Sequence, residues 1–199
     1  GTLRGGVTGM RGDRSSQYFS ALLLAGALAE SPITVAIEGR LVSRPYVEIT
    51  RRMVEAFGGR IDAEESSFAV RPIAAYRGRA YAIEPDASSA SYPFAVAAAT
   101  GGAITVPGLG TSALQGDYRF TDVLAQLGAD VAATGGGTRV TGRGLAGIDV
   151  DMHDISDTVM TLAAIAPLAA GPTRIRNIAN IRIKETDRLA AIAAELEKL

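Results

Sequence analysis

One order of segments recurs three times along this 199-residue chain. An Ala/Leu-rich helix leads to a β-branched strand, then to a helix closing on Gly, then to two short strands. The first copy has YFSALLLAGALA (Tyr18–Ala29), ITVAIEG (Ile33–Gly39), VEITRRMVEAFGG (Val47–Gly59) and the pair RIDAEE and SFAVRP (Arg60–Pro72). The second has SASYPFAVAAAT (Ser89–Thr100), ITVPG (Ile104–Gly108), YRFTDVLAQLGAD (Tyr118–Asp130) and DVAATGGGTRVTG (Asp130–Gly142), whose glycines mark a hairpin turn. The third has DTVMTLAAIAPLAAG (Asp157–Gly171), TRIRNI (Thr173–Ile178) and DRLAAIAAELEKL (Asp187–Leu199), and stops where the others reach Gly. Such a recurrence implies duplication of one supersecondary unit.

Helices and strands alternating in this way predict an α/β (α+β) fold, with mixed sheets covered by helices. The first helix of each copy has little polar surface and is expected to be buried. The second carries charges and is expected nearer solvent. In the last helix Leu189, Ile192, Leu196 and Leu199 fall at three- and four-residue steps and predict one apolar face. The segment AYAIEPDASS (Ala80–Ser89) changes character, and Pro85 biases Glu84 toward an extended conformation. It is the expected crossover between two lobes, residues 1–84 and 85–199.

Composition removes several function classes. Lys plus Arg (20) nearly match Asp plus Glu (21), so no basic field points to nucleic acid. The absence of Cys excludes a disulfide scaffold and a Cys-based zinc site, and fits a reducing, cytoplasmic setting. One His, His153, excludes a multi-His metal site. The apolar run Phe19–Ala29 is too short to span a bilayer, and no membrane association is expected. The chain does not open on Met and ends inside a helical pattern, and is read as part of a longer polypeptide.

The remaining signals cluster at helix starts. Ser15-Ser16-Gln17 opens the first apolar helix, Asp86-Ala87-Ser88-Ser89 the second, and Ile155-Ser156-Asp157 the third. Ser and Asp are preferred caps, so each needs no function. Alternatively, helix starts converging on one cleft would aim amide donors and positive dipole ends at an anion. Asp157 is either a cap or a hydroxyl-binding group or base. In Lys184-Glu185-Thr186-Asp187-Arg188, helical spacing lets both cations address one side with Glu185 beside them. Cations at the positive end of a helix cost energy unless an anion or carboxylate offsets them. Ser43-Arg44-Pro45-Tyr46 lies between strand and helix, where Ser43 can cap and Arg44 and Tyr46 can project. Gln115-Gly116-Asp117 takes nearly the same place in the second copy, as a shared turn geometry. His153 beside Asp151 and Asp154 reads as a capping or solvated residue, with a base as the sharper alternative. Neither a dinucleotide fingerprint nor a P-loop is present.

The stretches GDRSSQYFSALLLAGALA, LVSRPYVEIT, EPDASSASY, LQGDYRF, ISDTVMT and NIRIKETDRL together resemble the 5-enolpyruvylshikimate-3-phosphate synthase family, in family order and over nearly the whole chain. The resemblance implies two lobes built from repeated βαβαββ units. Residues 1–84 would be the last part of one lobe, holding one repeat. Residues 85–199 would be the first part of the other, holding one complete and one truncated repeat.

It also implies transfer of enolpyruvyl from phosphoenolpyruvate to the 5-hydroxyl of shikimate 3-phosphate, on the route to chorismate and the aromatic amino acids. The complete enzyme would be a monomer with no metal or organic cofactor, and this stretch alone would be inactive. By resemblance Ser15 and Ser16 bind the shikimate phosphate, with Gln17 between the two substrates. Ser43 adds a phosphate contact and Tyr46 lines the shikimate site. Asp157 holds the shikimate hydroxyls and acts as base, and Asn180 and Lys184 reach shikimate 3-phosphate. Glu185 transfers a proton at the methylene carbon, and Arg188 binds phosphoenolpyruvate. The catalytic set is then Asp157, Lys184 and Glu185. Ser156 stands where the family usually has Pro, and Arg44 where Lys is common. The family's N-terminal Lys and Arg, its glycine-rich loop and its C-terminal Arg and Lys have no counterpart here. A UDP-N-acetylglucosamine enolpyruvyl transferase is the nearest alternative, and a noncatalytic binding module on the same scaffold is another.

Overall fold

The structure, a computed structural model, describes residues 2–199 and divides after Ala82 into two compact units. The first unit has the order β1 (Gly6–Arg11), α1 (Ser16–Gly26), β2 (Ile33–Glu38), α2 (Arg44–Ala56), β3 (Arg60–Ala63) and β4 (Ser67–Arg71). These strands form one mixed sheet in the order β1-β2-β4-β3. β1 runs parallel to β2, while β4 is antiparallel to both β2 and β3.

Its core lies between the sheet and the two helices. Phe19 and Leu23 of α1 and Val47 and Val54 of α2 cluster with Val35, Ile61, Phe68 and Val70 of the sheet. Phe19 meets Phe68 edge to face at 6.1 Å. Pro45 lies in the first turn of α2, where its missing amide costs nothing. The helix stops as its glycines predict: Gly58 takes φ +91°, and its amide and that of Gly59 satisfy the carbonyls of Glu55 and Val54. The outer face of α2 is charged, with Arg51 bridging Glu48 and Glu55.

The second unit, Ile83–Leu199, opens on α3 (Ala87–Thr100) and continues through β5 (Ala103–Pro107), α4 (Phe120–Gln126), β6 (Asp130–Thr134) and β7 (Gly137–Thr141). There follow β8 (Asp149–Asp151), α5 (Val159–Ile165), β9 (Arg174–Arg176) and α6 (Arg188–Leu196). β5, β7 and β6 make an antiparallel sheet, and β8 and β9 a parallel pair. The expected glycine hairpin joins β6 to β7, pairing Thr134 with Gly137 across Gly135-Gly136. Phe94, Phe120, Leu124, Leu127, Met152, Leu162 and Ile181 form the centre of the core. Among the described residues, no helix is long and apolar enough to cross a membrane.

Four expectations need correction. The burial of the Ala-rich helices holds for α5, but α1 and α3 each bury one side only, leaving Tyr18 62%, Leu24 45%, Tyr92 60% and Val96 56% exposed. The second helix of the second copy is not the more solvated one: α4 is short and buries Phe120, Thr121, Val123 and Leu124. The helix expected over Asp157–Gly171 is shortened to α5, flanked by 3₁₀ turns at His153–Thr158 and Ala166–Leu168; at the second of these Pro167 has no amide to continue the helix. The final helix ends at Leu196, so Leu199 is exposed, and only Leu189 and Ile192 of the predicted face pack on the core.

Candidate active site

In a parallel strand pair both carboxyl ends lie at one edge, and the segments that follow open there. Each unit contains one such pair. In the first, the loops after β1 and β2 are tied together, because Gly12 N–H donates to Glu38 O and Val42 N–H to Gly12 O, both at 2.9 Å. A Cβ on Gly12 would lie 2.9 Å from Arg40 O and from the Leu41 main chain, so only Gly permits this approach. The hydroxyl of Thr50 then bridges α2 to Ser20 of α1 at 2.7 Å. The starts of α1 and α2 are thereby held as one edge.

The predicted hydroxyls occupy this edge. Ser15 caps α1, its Oγ accepting from Gln17 N–H at 3.2 Å. Ser16 is 4% exposed, while Gln17 is exposed. Ser43 is the N-cap of α2 in a left-handed conformation, φ +53°, and its side chain makes no capping bond. Its Oγ is buried and has no hydrogen-bond partner among the described residues. Tyr46 is half-buried one turn into α2, its amide donating to Ser43 O at 3.1 Å. Arg44 does not project from the loop as expected. Its guanidinium donates to the Glu64 and Glu65 carbonyls and covers the Phe68 ring at 5.1 Å.

In the second unit β8 and β9 deliver the 3₁₀ turns His153–Thr158 and Ala179–Ile183 to a common edge. Buried Asn180 donates from Nδ2 to Ser156 Oγ at 3.0 Å. Asp157 Oδ1 accepts from Arg188 Nη1 at 2.9 Å and lies 3.7 Å from Lys184 Nζ. Arg188 also donates from Nε and Nη2 to the two oxygens of Glu185, at 2.8 and 2.9 Å. Lys184, Asp157, Arg188 and Glu185 are therefore one connected chain of alternating charge. Arg188 holds the Glu185 carboxyl below the usual carboxylate range, and Glu185 raises the Arg188 guanidinium in turn. Asp187 caps α6, accepting from Ala190 N–H at 3.1 Å.

The two carboxylates offset the two cations at this helix start, so the cost predicted from the dipole is met within the protein. A ligand anion would enter by exchange with a carboxylate. The side chains of Asp157, Lys184 and Arg188 are 19–29% exposed, and that of Glu185 is 66% exposed.

At α3, of the two readings of a helix start, plain capping is the one the structure shows. There Asp86 accepts from Ser88 N–H and Ser89 Oγ, and Gln115 Oε1 from Ala87 N–H. Glu84 accepts from the Leu114 and Gln115 amides, and buried Asp117 from Ser88 Oγ. The chain's own carboxylates and amide fill this terminus. His153 is placed by its main chain, which donates to Asp151 Oδ1 at 2.9 Å, and its Nδ1 lies 3.4 Å from Asn177 O. Among the described residues, no three His, Asp or Glu side chains gather as metal ligands. Sequence reasoning missed the link between Ser156 and Asn180, which sit on separate turns 24 residues apart, a separation with no local spacing signal.

The architecture is shared with solved structures. An EPSP synthase from Acinetobacter baumannii superposes with a TM-score of 0.77 at 26% identity, covering 98% of this chain and 45% of that one. The enolpyruvyl transferase NikO from Streptomyces tendae matches in fold, with a TM-score of 0.62 at 19% identity over 77% of this chain and 37% of its own. The fold is thus that of an enolpyruvyl transferase. The family profile of EPSP synthase (3-phosphoshikimate 1-carboxyvinyltransferase) matches residues 1–199, and the chain belongs to that family. A 3-phosphoshikimate 1-carboxyvinyltransferase of Marinomonas sp. (strain MWYL1) is 45% identical over 99% of this chain. The chloroplastic enzyme 1 of Nicotiana tabacum is 45% identical over all of it. The chain spans only 47% and 40% of the lengths of these two relatives.

Proposed function

We propose that the complete polypeptide transfers the enolpyruvyl group of phosphoenolpyruvate to the 5-hydroxyl of shikimate 3-phosphate and releases phosphate. The observation that carries this reading is the connected set Lys184–Asp157–Arg188–Glu185. Two anionic substrates held side by side need cations, and addition to an enol phosphate needs a base on the hydroxyl and an acid at the methylene.

In this reading Asp157 takes the proton of the 5-hydroxyl as its oxygen attacks the central carbon of phosphoenolpyruvate, while the methylene carbon gains a proton. The tetrahedral adduct then loses that proton and phosphate, restoring the double bond. Glu185 handles the methylene proton. Held by Arg188 it is ionised, and so suited to removing a proton. It becomes a donor when the Arg188 fork turns to the phosphate or carboxylate of phosphoenolpyruvate, because losing that partner raises the carboxyl pKa. Lys184 and Asn180 bind shikimate 3-phosphate beside Asp157.

Ser15, Ser16 and Ser43 bind the shikimate phosphate at the joined starts of α1 and α2, with Gln17 between the substrates and Tyr46 lining the site. Buried Ser43 Oγ is a hydroxyl awaiting an acceptor, and two helix N-termini favour an anion there. Residues 1–84 and 85–199 are parts of two lobes, and the second reading of this scaffold as a mere binding module lacks a use for the ionised Glu185. The protein acts in the cytoplasm as a monomer. Phosphate release by the complete polypeptide, assayed with both substrates, tests the reading: activity that survives Asp157→Asn undiminished overturns it. The 199-residue chain alone should be inactive, since reacting groups must be held together to act.

A further inference from the structure

Ser156 is wholly buried, and Asn180 is 8% exposed. Their side chains meet at 3.0 Å, with Asn180 Nδ2 donating to Ser156 Oγ. This bond joins the turn after β8 to the turn after β9. The first of these turns carries Asp157 and the second leads into Lys184, 3.7 Å apart. The other end of the Asn180 amide is different. Oδ1 is shielded from solvent and has no hydrogen-bond partner among the described residues. A buried amide oxygen left in this state is rare in a native protein and marks a position where a donor is to arrive.

An amide has two ends of opposite character, and rotation by half a turn about its last bond exchanges them. Asn180 alone therefore does not specify whether it offers a ligand an acceptor or a donor. The end that a neighbour engages leaves the other for a ligand. Here Ser156 engages the nitrogen, so the oxygen is what remains for a ligand.

We propose that Ser156 is a positioning residue for substrate binding: it holds the Asn180 amide so that Oδ1 accepts from a hydroxyl of the substrate. This rests on the reading of the site given above and adds a residue and a polarity to it. The ligand chemistry is a hydroxyl donor, not an anion, because a carbonyl oxygen repels phosphate and carboxylate oxygens. The cations Lys184 and Arg188 serve the anionic groups. Asn180, oriented by Ser156, serves the alcohol.

The test is a double-mutant cycle in the complete polypeptide, read by KM and kcat for shikimate 3-phosphate and by calorimetric titration of that ligand. Ser156→Ala should raise KM and Kd about tenfold, the size of one net hydrogen bond, with kcat little changed. Asn180→Ala should weaken binding at least as much. The Ser156→Ala/Asn180→Ala double variant should match Asn180→Ala alone, because Ser156 acts only through Asn180. Ser156→Cys, which keeps the bulk but substitutes a weak sulfur acceptor, carries the same comparison if Ser156→Ala does not fold. Independent, additive losses would overturn the proposal. So would a lowered melting temperature with unchanged KM, which would make the bond merely structural. Asp157→Asn separates the two levels. Its inactivity together with a native KM in Ser156→Ala would overturn only the positioning role. Native turnover in Asp157→Asn would overturn the site reading and this proposal with it.

Discussion

Arg188 clasps Glu185 through two parallel N–H···O bonds, 2.8 and 2.9 Å long. The same guanidinium reaches Asp157 with Nη1 at 2.9 Å. One planar group thus reads two carboxylates from two different turns, a geometry that Lys could not reproduce. Ionisation at the site follows from this fork.

The first expectation is a titration. The Glu185 carboxyl should ionise below the ordinary glutamate value of 4.5. Arg188→Gln should move it upward, because the fork is the largest cause of the shift. The sign for stability follows: a depressed carboxyl contributes above its unfolded pKa, and that contribution is lost as pH falls through the depressed value. Carbon-detected NMR of the side-chain carboxyl checks this. An unmoved midpoint in Arg188→Gln would reject the coupling.

A second concerns turnover. Glu185→Gln keeps the shape and removes the proton, so kcat of the complete polypeptide should fall by about 10²–10⁴. Affinity for shikimate 3-phosphate should change far less, because Glu185 is assigned to the methylene proton. Steady-state kinetics beside calorimetry make the comparison. Near-native kcat would remove Glu185 from the mechanism.

Ser43 offers a third. Its buried hydroxyl has no partner among the described residues, and its backbone is left-handed. Removing an unsatisfied polar group relieves a cost of about 1–3 kcal/mol, against a small loss of packing. Ser43→Ala should therefore melt no lower than the parent without ligand, yet bind shikimate 3-phosphate about tenfold more weakly, the loss of about one hydrogen bond. Thermal melts with and without ligand separate the effects. Unchanged ligand affinity would free Ser43 from the phosphate.

The fourth is structural. Gly12→Ala puts a methyl 2.9 Å from backbone atoms of Arg40 and Leu41, which cannot swing aside. Such overpacking should cost about 1–3 kcal/mol. It should also weaken shikimate 3-phosphate binding, because the starts of α1 and α2 move apart. Denaturant melts and titration of the variant would show both. A native-like variant would mean that the two loops are not held by this approach.

Much was legible from local chemistry. The repeat of helix and strand, the glycine stop after α2, the hairpin at Gly135-Gly136 and the Ser15 cap all depend on residues within a few positions of one another. Local backbone preference is written in the sequence at that range. So was the clustering of charge in KETDR, and with it the pairing of Glu185 and Arg188 three residues apart. Periodicity overreached at two places. Leu199 fits the apolar step of α6 but lies past the last turn, and Pro167 breaks the third Ala-rich segment because it has no amide to donate.

Tertiary structure alone decided which charges share an oxygen. Asp157 and Arg188 are 31 residues apart, and only the parallel pairing of β8 with β9 brings their turns to one edge. The same pairing joins Ser156 to Asn180 and leaves Oδ1 as an acceptor. In the first unit, the carbonyls of Glu64 and Glu65 and the face of Phe68 hold the Arg44 guanidinium. Similar SSQ and DASS helix starts ended differently for a like reason. Gln115 and Asp117, 28 and 29 residues beyond the groups they bind, close over the start of α3, whereas at the start of α2 the buried Ser43 hydroxyl has no partner among the described residues. A sequence specifies which groups are present and how the nearby backbone turns. Hydrogen-bond partners across tens of residues depend on strand order and register, and those are set by how the whole core packs.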